Sequence, residues 1–230
     1  MVENGINLFP LFLSLQVASL ATVIGMAVGL PVAYYLSRST SRLADVADTL
    51  LTLPIVLPPT VLGYYLLVLL GRNSALGVFL EEQLNIMLVF TPAGAVVAAS
   101  VVSAPFFIKS ARAAFSEIDK DMINAAKLLG RSNINIIFSI IIPLAWRGML
   151  SGIILTFARA LGDFGTTLMV SGSIPNYTTT MPIAIYDALQ AGNKELTNVL
   201  VFIMTAVAVV CLFSLNRLEK KMGKGRNRRA

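Results

Sequence analysis

A chain of 230 residues with 56% hydrophobic and only 13% charged side chains, and a mean hydropathy of +0.77, cannot present most of its surface to water. It has no histidine and a single cysteine, Cys211, which excludes a histidine-based zinc site, a Ser-His-Asp triad and a disulfide within the chain. What remains is an all-α polytopic membrane protein, and its net charge of +6 must be reconciled with topology before nucleic acid is considered.

The opening residues Met1, Val2, Glu3 and Asn4 carry no basic n-region, so the first apolar segment is expected to be retained rather than cleaved. It spans about 8–36 and closes at Arg38 and Arg42. A second span, about 46–70, carries Pro54, Pro58 and Pro59, each of which removes a backbone donor and bends a helix. A broken helix is tolerated at membrane depth only where protein or a water-filled cavity receives the freed carbonyls. Pro58 and Pro59 are therefore candidate hinge or close-packing residues facing protein. A loop over 71–85 follows, then a third span, about 88–107, which passes through Pro105 into Lys109 and Arg112. Residues 116–142 are polar and basic, and a fourth apolar segment, about 143–170, is interrupted by Arg147, Arg159 and Asp163. Residues 171–195 are turn-rich, with a turn expected over 173–176. Thr180 followed by Pro182 predicts a short helix start. The fifth span is about 196–215, followed by a basic tail, 216–230. These segments form one permease-sized domain, 1–230, with no internal repeat.

Basic residues near span ends are retained in the cytoplasm. With the N-terminus outside and five spans, one cytoplasmic segment holds Arg38 and Arg42 and a second holds Lys109, Arg112, Lys120, Lys127 and Arg131. The tail brings Arg217, Lys220, Lys221, Lys224, Arg226, Arg228 and Arg229, so most of the 18 basic residues are inside. An even span count would expose one cluster, so an N-out, C-in chain of five transmembrane helices is expected. The cationic tail is then a topology signal and membrane-lipid contact rather than a nucleic-acid patch.

Placed in the cytoplasm, 116–132 reads as a short helix. Ser116 with Asp119, or Asp121 with Asn124, offers a start; Ile123, Ala126, Leu128 and Leu129 offer an apolar side; and Gly130 offers a left-handed stop. A plain interhelical loop on the membrane surface is the alternative. The spacing of Asn124, Ala125, Ala126, Gly130, Ile140 and Pro143 resembles the EAA loop of ABC-importer permeases, with Asn124 where that pattern has glutamate and Ile142 where it has leucine. The resemblance implies a type I importer fold with a cytoplasmic coupling helix. It also implies that Asn124, Ala125, Ala126, Leu129, Gly130 and Arg131 contact an ATP-binding subunit. With Asn124 unable to supply the usual charge, docking falls to the small residues, the turn and Arg131.

A second resemblance covers nearly the whole chain. ARALGDFGTTLMVSG, TTTMPIAIYDALQ and LPIVLPPTVLGYYLL look like the molybdate permease and its tungstate and sulfate relatives. It implies a transport subunit in a prokaryotic cell membrane that hydrolyses nothing itself and holds no cofactor, ATP and Mg being on the partner. Two copies would form the path, with two ATP-binding subunits beneath and an extracytoplasmic binding protein delivering a tetrahedral oxyanion. A sulfate or thiosulfate permease, or a secondary transporter or channel without an ATPase, are the alternatives. Secondary carriers usually show inverted repeats and ionisable residues for ion coupling, whereas this sequence shows no repeat and only Arg159 and Asp163 well inside a span.

Arg159 and Asp163 are four apart, so they can pair on one helix face. Counting ~1.5 Å per residue from Pro143 puts Arg159 ~24 Å up. There the pair either fixes packing or shapes the mouth of an anion path, Asp163 restraining the arginine's field. Thr60, Tyr64, Thr166, Thr167 and Ser171 are further path candidates, because hydroxyls satisfy an oxyanion without fixed charge. In spans, however, Ser and Thr often bond their own backbone. Gly162 and Gly165 flank Asp163 as candidate hinge or close-packing sites. No residue is a catalytic or metal-ligand candidate.

Overall fold

A computed structural model describes residues 7–226, without the side chains of residues 120, 215, 216 and 218–226. The opening segment 1–6 and most of the tail's basic side chains therefore lie outside the described residues. Every regular element described is a helix.

Three long helices make the frame. Helix α1 (Phe9–Arg38) starts with Pro10 in its first turn, where a missing N–H costs nothing. Helix α5 (Pro92–Ser116) is opened by Thr91, whose hydroxyl accepts from Gly94 N at 3.2 Å. Helix α8 (Ile142–Leu161) lies across α5. Small residues set these approaches. A methyl on Gly29 would lie 2.8 Å from Phe107 Cδ1, and one on Gly148 would lie 2.5 Å from Ala114 Cβ. Ser110 Oγ donates to Gly148 O at 2.7 Å and closes the α5–α8 seam.

Two buried clusters fix the helix directions. One gathers Leu36, Phe115, Ile141 and Ala145; the other gathers Leu13, Val17, Ala95, Ala99 and Leu161. The ends of α1 and α5 thus share one level with the start of α8, and their beginnings share the other with its end. Helices α1 and α5 are parallel, and α8 is antiparallel to both. A chain that leaves the far end of α1 and begins α5 at the near end must cross back between them.

That crossing is made by α2 (Arg42–Val56) and α3 (Pro59–Leu70), which meet at an angle of 116°. The second span is therefore two helices rather than one kinked helix. The reason is local: Leu57 precedes Pro58 and Pro58 precedes Pro59, and a residue before proline is driven out of the helical region. Both are extended, with ψ 138°. Pro54, by contrast, is accommodated inside α2. The expected loop after α3 contains helix α4 (Ala75–Leu84), capped by Ser74, which accepts from Gly77 N at 2.8 Å, and ended by Asn85 at φ 53°.

The fourth span differs at both ends from the segment 143–170. It begins ten residues earlier, because α7 (Asn133–Ile136) and a π-helical turn (Ile137–Ile141) run without interruption into α8. Ser132 caps the start, accepting from Asn135 N at 3.3 Å. Pro143 lacks an N–H, and its ring would meet the carbonyl four residues back; the widened π turn makes room for it. At the other end α8 stops at Leu161, and a break at 162–164 precedes the short α9 (Gly165–Ser171). The third span also shifts, from 88–107 to Pro92–Ser116, since Thr91 and Pro92 start the helix late and Lys109 and Arg112 stay within it.

The turn expected at 173–176 falls at 175–178 with Asn176 at φ 58°. Helix α10 (Met181–Gln190) starts where Thr180 and Pro182 predict, although Thr180 makes no capping bond and Ser14 Oγ accepts from Met181 N instead, at 2.7 Å. Helix α11 (Lys194–Arg226) begins beside Leu11 and Met181, so it is parallel to α1. Only 6% of its most apolar stretch is buried within the chain, which puts it on the outside of the bundle. Among the described residues four helices are long and apolar enough to cross a membrane, and the bent pair, taken as one span, makes five.

Candidate functional site

Helix α6 (Lys120–Leu128) projects at the level where α1 and α5 end and α8 begins. Its start is neither of the two expected. Asp119 is the cap, accepting from Asp121 N at 2.9 Å, while Ser116 is the last residue of α5. Its end is as the glycine predicts: Gly130 has φ +77°, its N–H reaches Lys127 O at 2.9 Å, and Arg131 N reaches Ala126 O at 3.1 Å. These two bonds form a Schellman turn.

The faces of α6 divide differently from the sequence pattern. Ile123 and Ala126 turn into the bundle and are buried, packing in the cluster with Phe115 and Ile136. Leu128 is 89% and Leu129 83% exposed, so they belong to the outer surface rather than the inner side. Asn124, Ala125, Gly130 and Arg131 are exposed with them, whereas Ala126, expected on the contact surface, supports the helix from beneath. Arg131 donates to Ser139 Oγ at 3.3 Å, tying the turn to the π-helical start of the fourth span.

At the opposite end Arg159 and Asp163 pair at 3.2 Å. The Asp163 side chain is 1% exposed and its second oxygen accepts from Thr167 N at 3.0 Å and Thr167 Oγ1 at 2.7 Å. One carboxylate thus bridges the helix break. It meets the arginine in the last turn of α8 and the free N–H groups at the start of α9, each the favourable charge for its helix end. Gly165 lies against Pro59, whose Cβ would be 2.9 Å from a methyl there, and Thr166 donates to Pro59 O at 3.3 Å. The break in the fourth span therefore sits on the break in the second. Gly162 is exposed and open, with no close neighbour beyond Ala158 O.

Among the path candidates, Thr166, Thr167 and Ser171 are buried and their hydroxyls donate to Pro59 O, Asp163 and Thr167 O. They hold α9 in place. Thr60 and Tyr64 are exposed on α3, as are Pro58 and Pro59 at its start. The structure thus separates the candidates into a packed group on α9 and an open group on α3. Asp48 on α2 meets Lys109 and Arg112, and nothing local in the sequence marks this contact, because Asp48 and Lys109 are 61 positions apart.

A family model described as "Binding-protein-dependent transport system inner membrane component" matches residues 10–224. Relatives include the putative molybdenum transport system permease protein YvgM of Bacillus subtilis, 38% identical over 90% of this chain and 92% of that protein. The molybdenum transport system permease protein ModB of Azotobacter vinelandii is 36% identical over 91% and 92%, and that of Escherichia coli K12 is 38% identical over 87% and 88%. Among solved structures, a chain of the inward-facing MetNI methionine ABC transporter has a TM-score of 0.71 at 17% identity, covering 96% of this chain and 99% of that one. A bacterial ABC transporter that imports alginate has a TM-score of 0.76 at 14% identity, covering 93% and 79%. At those identities the likeness is one of fold.

Proposed function

The chain belongs to the family of binding-protein-dependent transport system inner membrane components, and from that membership we propose that it is the membrane subunit of an ATP-driven importer for a tetrahedral oxyanion, molybdate or tungstate. The substrate class rests on the molybdenum permeases, which match this chain almost end to end at 36–38% identity. One observation carries the coupling: α6 stands on the bundle with Leu128 and Leu129 outward, backed by buried Ile123 and Ala126. Two adjacent leucines this exposed, on a capped helix outside the spans, form an apolar patch of the kind that marks a protein contact.

The α6 end is the cytoplasmic one, because Arg38, Arg42, Lys109, Arg112, Lys127 and Arg131 all lie towards it. This gives the N-out, C-in orientation. Two copies form the path, two ATP-binding subunits dock on the α6 helices, and a binding protein delivers the anion to the outer end. ATP hydrolysis belongs to those partners. Alternating access is a rigid-body tilt of the packed frame of α5 and α8, driven from the α6 end.

Reconstitution with the ATPase and binding protein tests the reading. ATP hydrolysis should be stimulated by molybdate or tungstate and far less by sulfate or phosphate. Stimulation by phosphate or an organic solute alone would defeat the oxyanion assignment.

A further inference from the structure

Lys109 and Arg112 lie one turn apart on α5 and both reach one carboxylate, Asp48 on α2. Lys109 Nζ is 3.0 and 2.9 Å from its two oxygens, and Arg112 NH1 is 2.7 Å from Oδ2. A single carboxylate here faces two cations, so the trio carries a net positive charge. None of the three is sealed off: the Lys109, Arg112 and Asp48 side chains are 41%, 30% and 21% exposed. Lys109 stands seven residues, ~10 Å, inside the cytoplasmic end of α5.

The chemistry of the pair suits a tetrahedral dianion. Arg112 offers a planar fork of donors and Lys109 a compact charge with three donors, about one helical turn apart. Neither has to be recruited, since Asp48 already holds both in place. The same carboxylate competes with any anion that arrives. We propose that Lys109 and Arg112 form a release site for the transported oxyanion at the cytoplasmic mouth, with Asp48 as a resident competitor that keeps occupancy brief. The oxyanion draws the two cations away from Asp48, and Asp48 takes them back as the oxyanion leaves for the cytoplasm. This rests on the oxyanion-importer reading above. A lipid headgroup phosphate presents the same chemistry, so the test separates the two sources.

The test uses the complete complex with its ATPase and binding protein in neutral phosphatidylcholine proteoliposomes. Molybdate on the binding-protein side reports on the importer reading. Molybdate titrated on the ATPase side, as an inhibitor of turnover, reports on the release site. Asp48→Asn removes the competitor and should lower the half-inhibitory concentration on the ATPase side about tenfold. Lys109→Gln or Arg112→Gln should raise it several-fold, Asp48→Asn with Arg112→Gln should return it towards wild type, and Asp48→Glu should leave it unchanged. A purely structural ion pair would behave otherwise: Asp48→Asn and Arg112→Gln would lower thermal stability alike and leave the inhibitory concentration unmoved, which overturns the proposal. A shift that appears only in vesicles containing anionic lipid assigns the pair to headgroups and also overturns it. No stimulation from the binding-protein side in wild type defeats the importer reading itself. Normal stimulation with no shift among the variants defeats the release site alone.

Discussion

Asp163 carries its charge to a nearly enclosed position and is tolerated because three donors meet it: Arg159, Thr167 N and Thr167 Oγ1. Asp163→Asn keeps the shape and leaves Arg159 without its counter-charge. Removing one partner of a buried pair costs about 3–5 kcal/mol, and the partial exposure of Arg159 puts the expected loss nearer 2–3 kcal/mol. It is measurable as a lower thermal transition in detergent, and Arg159→Met added to Asp163→Asn should recover part of it. The pair was legible from its spacing; the Thr167 bonds were not, because they depend on where the helix breaks. Gly130 was equally legible, and its surroundings make a clean experiment. A methyl there meets nothing within 4 Å, so only its φ of +77° resists substitution. Coupled uptake should fall in the order Gly, Asn, Ala, Val, with Ala costing about 1–2 kcal/mol in the turn. An unchanged Val variant would show that the turn does not matter to coupling.

At the scale of the element, α6 shows what a residue pattern leaves open. Its apolar positions were visible, but which of them point inward depends on the rotation at which the helix meets α5 and α7. Ala126 went in and Leu128 and Leu129 went out. A charge at Ala126 would therefore disturb the bundle as well as any docking. Leu129→Asp is the discriminating change: the isolated permease should keep its thermal transition while co-purification with the ATPase is lost. Retained co-purification would remove α6 as the docking surface. Helix α8 carries a related lesson. Pro143 bounds the expected fourth segment, yet the isoleucine-rich run before it supports a helix, and a π turn absorbs the proline. Helix α4 was hidden in a stretch read as loop, although Ser74 and Asn85 are suitable caps in hindsight.

For the whole molecule, the five-pass count came from the distribution of charge and is supported independently by the parallel packing of α1 and α5. The bend of 116° was not legible, since consecutive prolines signal a break without giving its angle. Orientation is open to direct test. With Cys211→Ser as background, single cysteines at Asn85 and Gln190 should react with an impermeant maleimide from outside the cell, and one at Ser132 only from inside. Labelling of Ser132→Cys from outside would reverse the topology and move α6 away from any ATPase. The unbroken run from Asn133 to Leu161 also has a mechanical meaning. It is a rod of ~43 Å at 1.5 Å per residue, with the α6 turn fastened to one tip and the Arg159–Asp163 bridge at the other. A tilt of ~10° at the foot of such a lever would sweep its far tip ~7 Å, so a small stroke from beneath is magnified at the outer end.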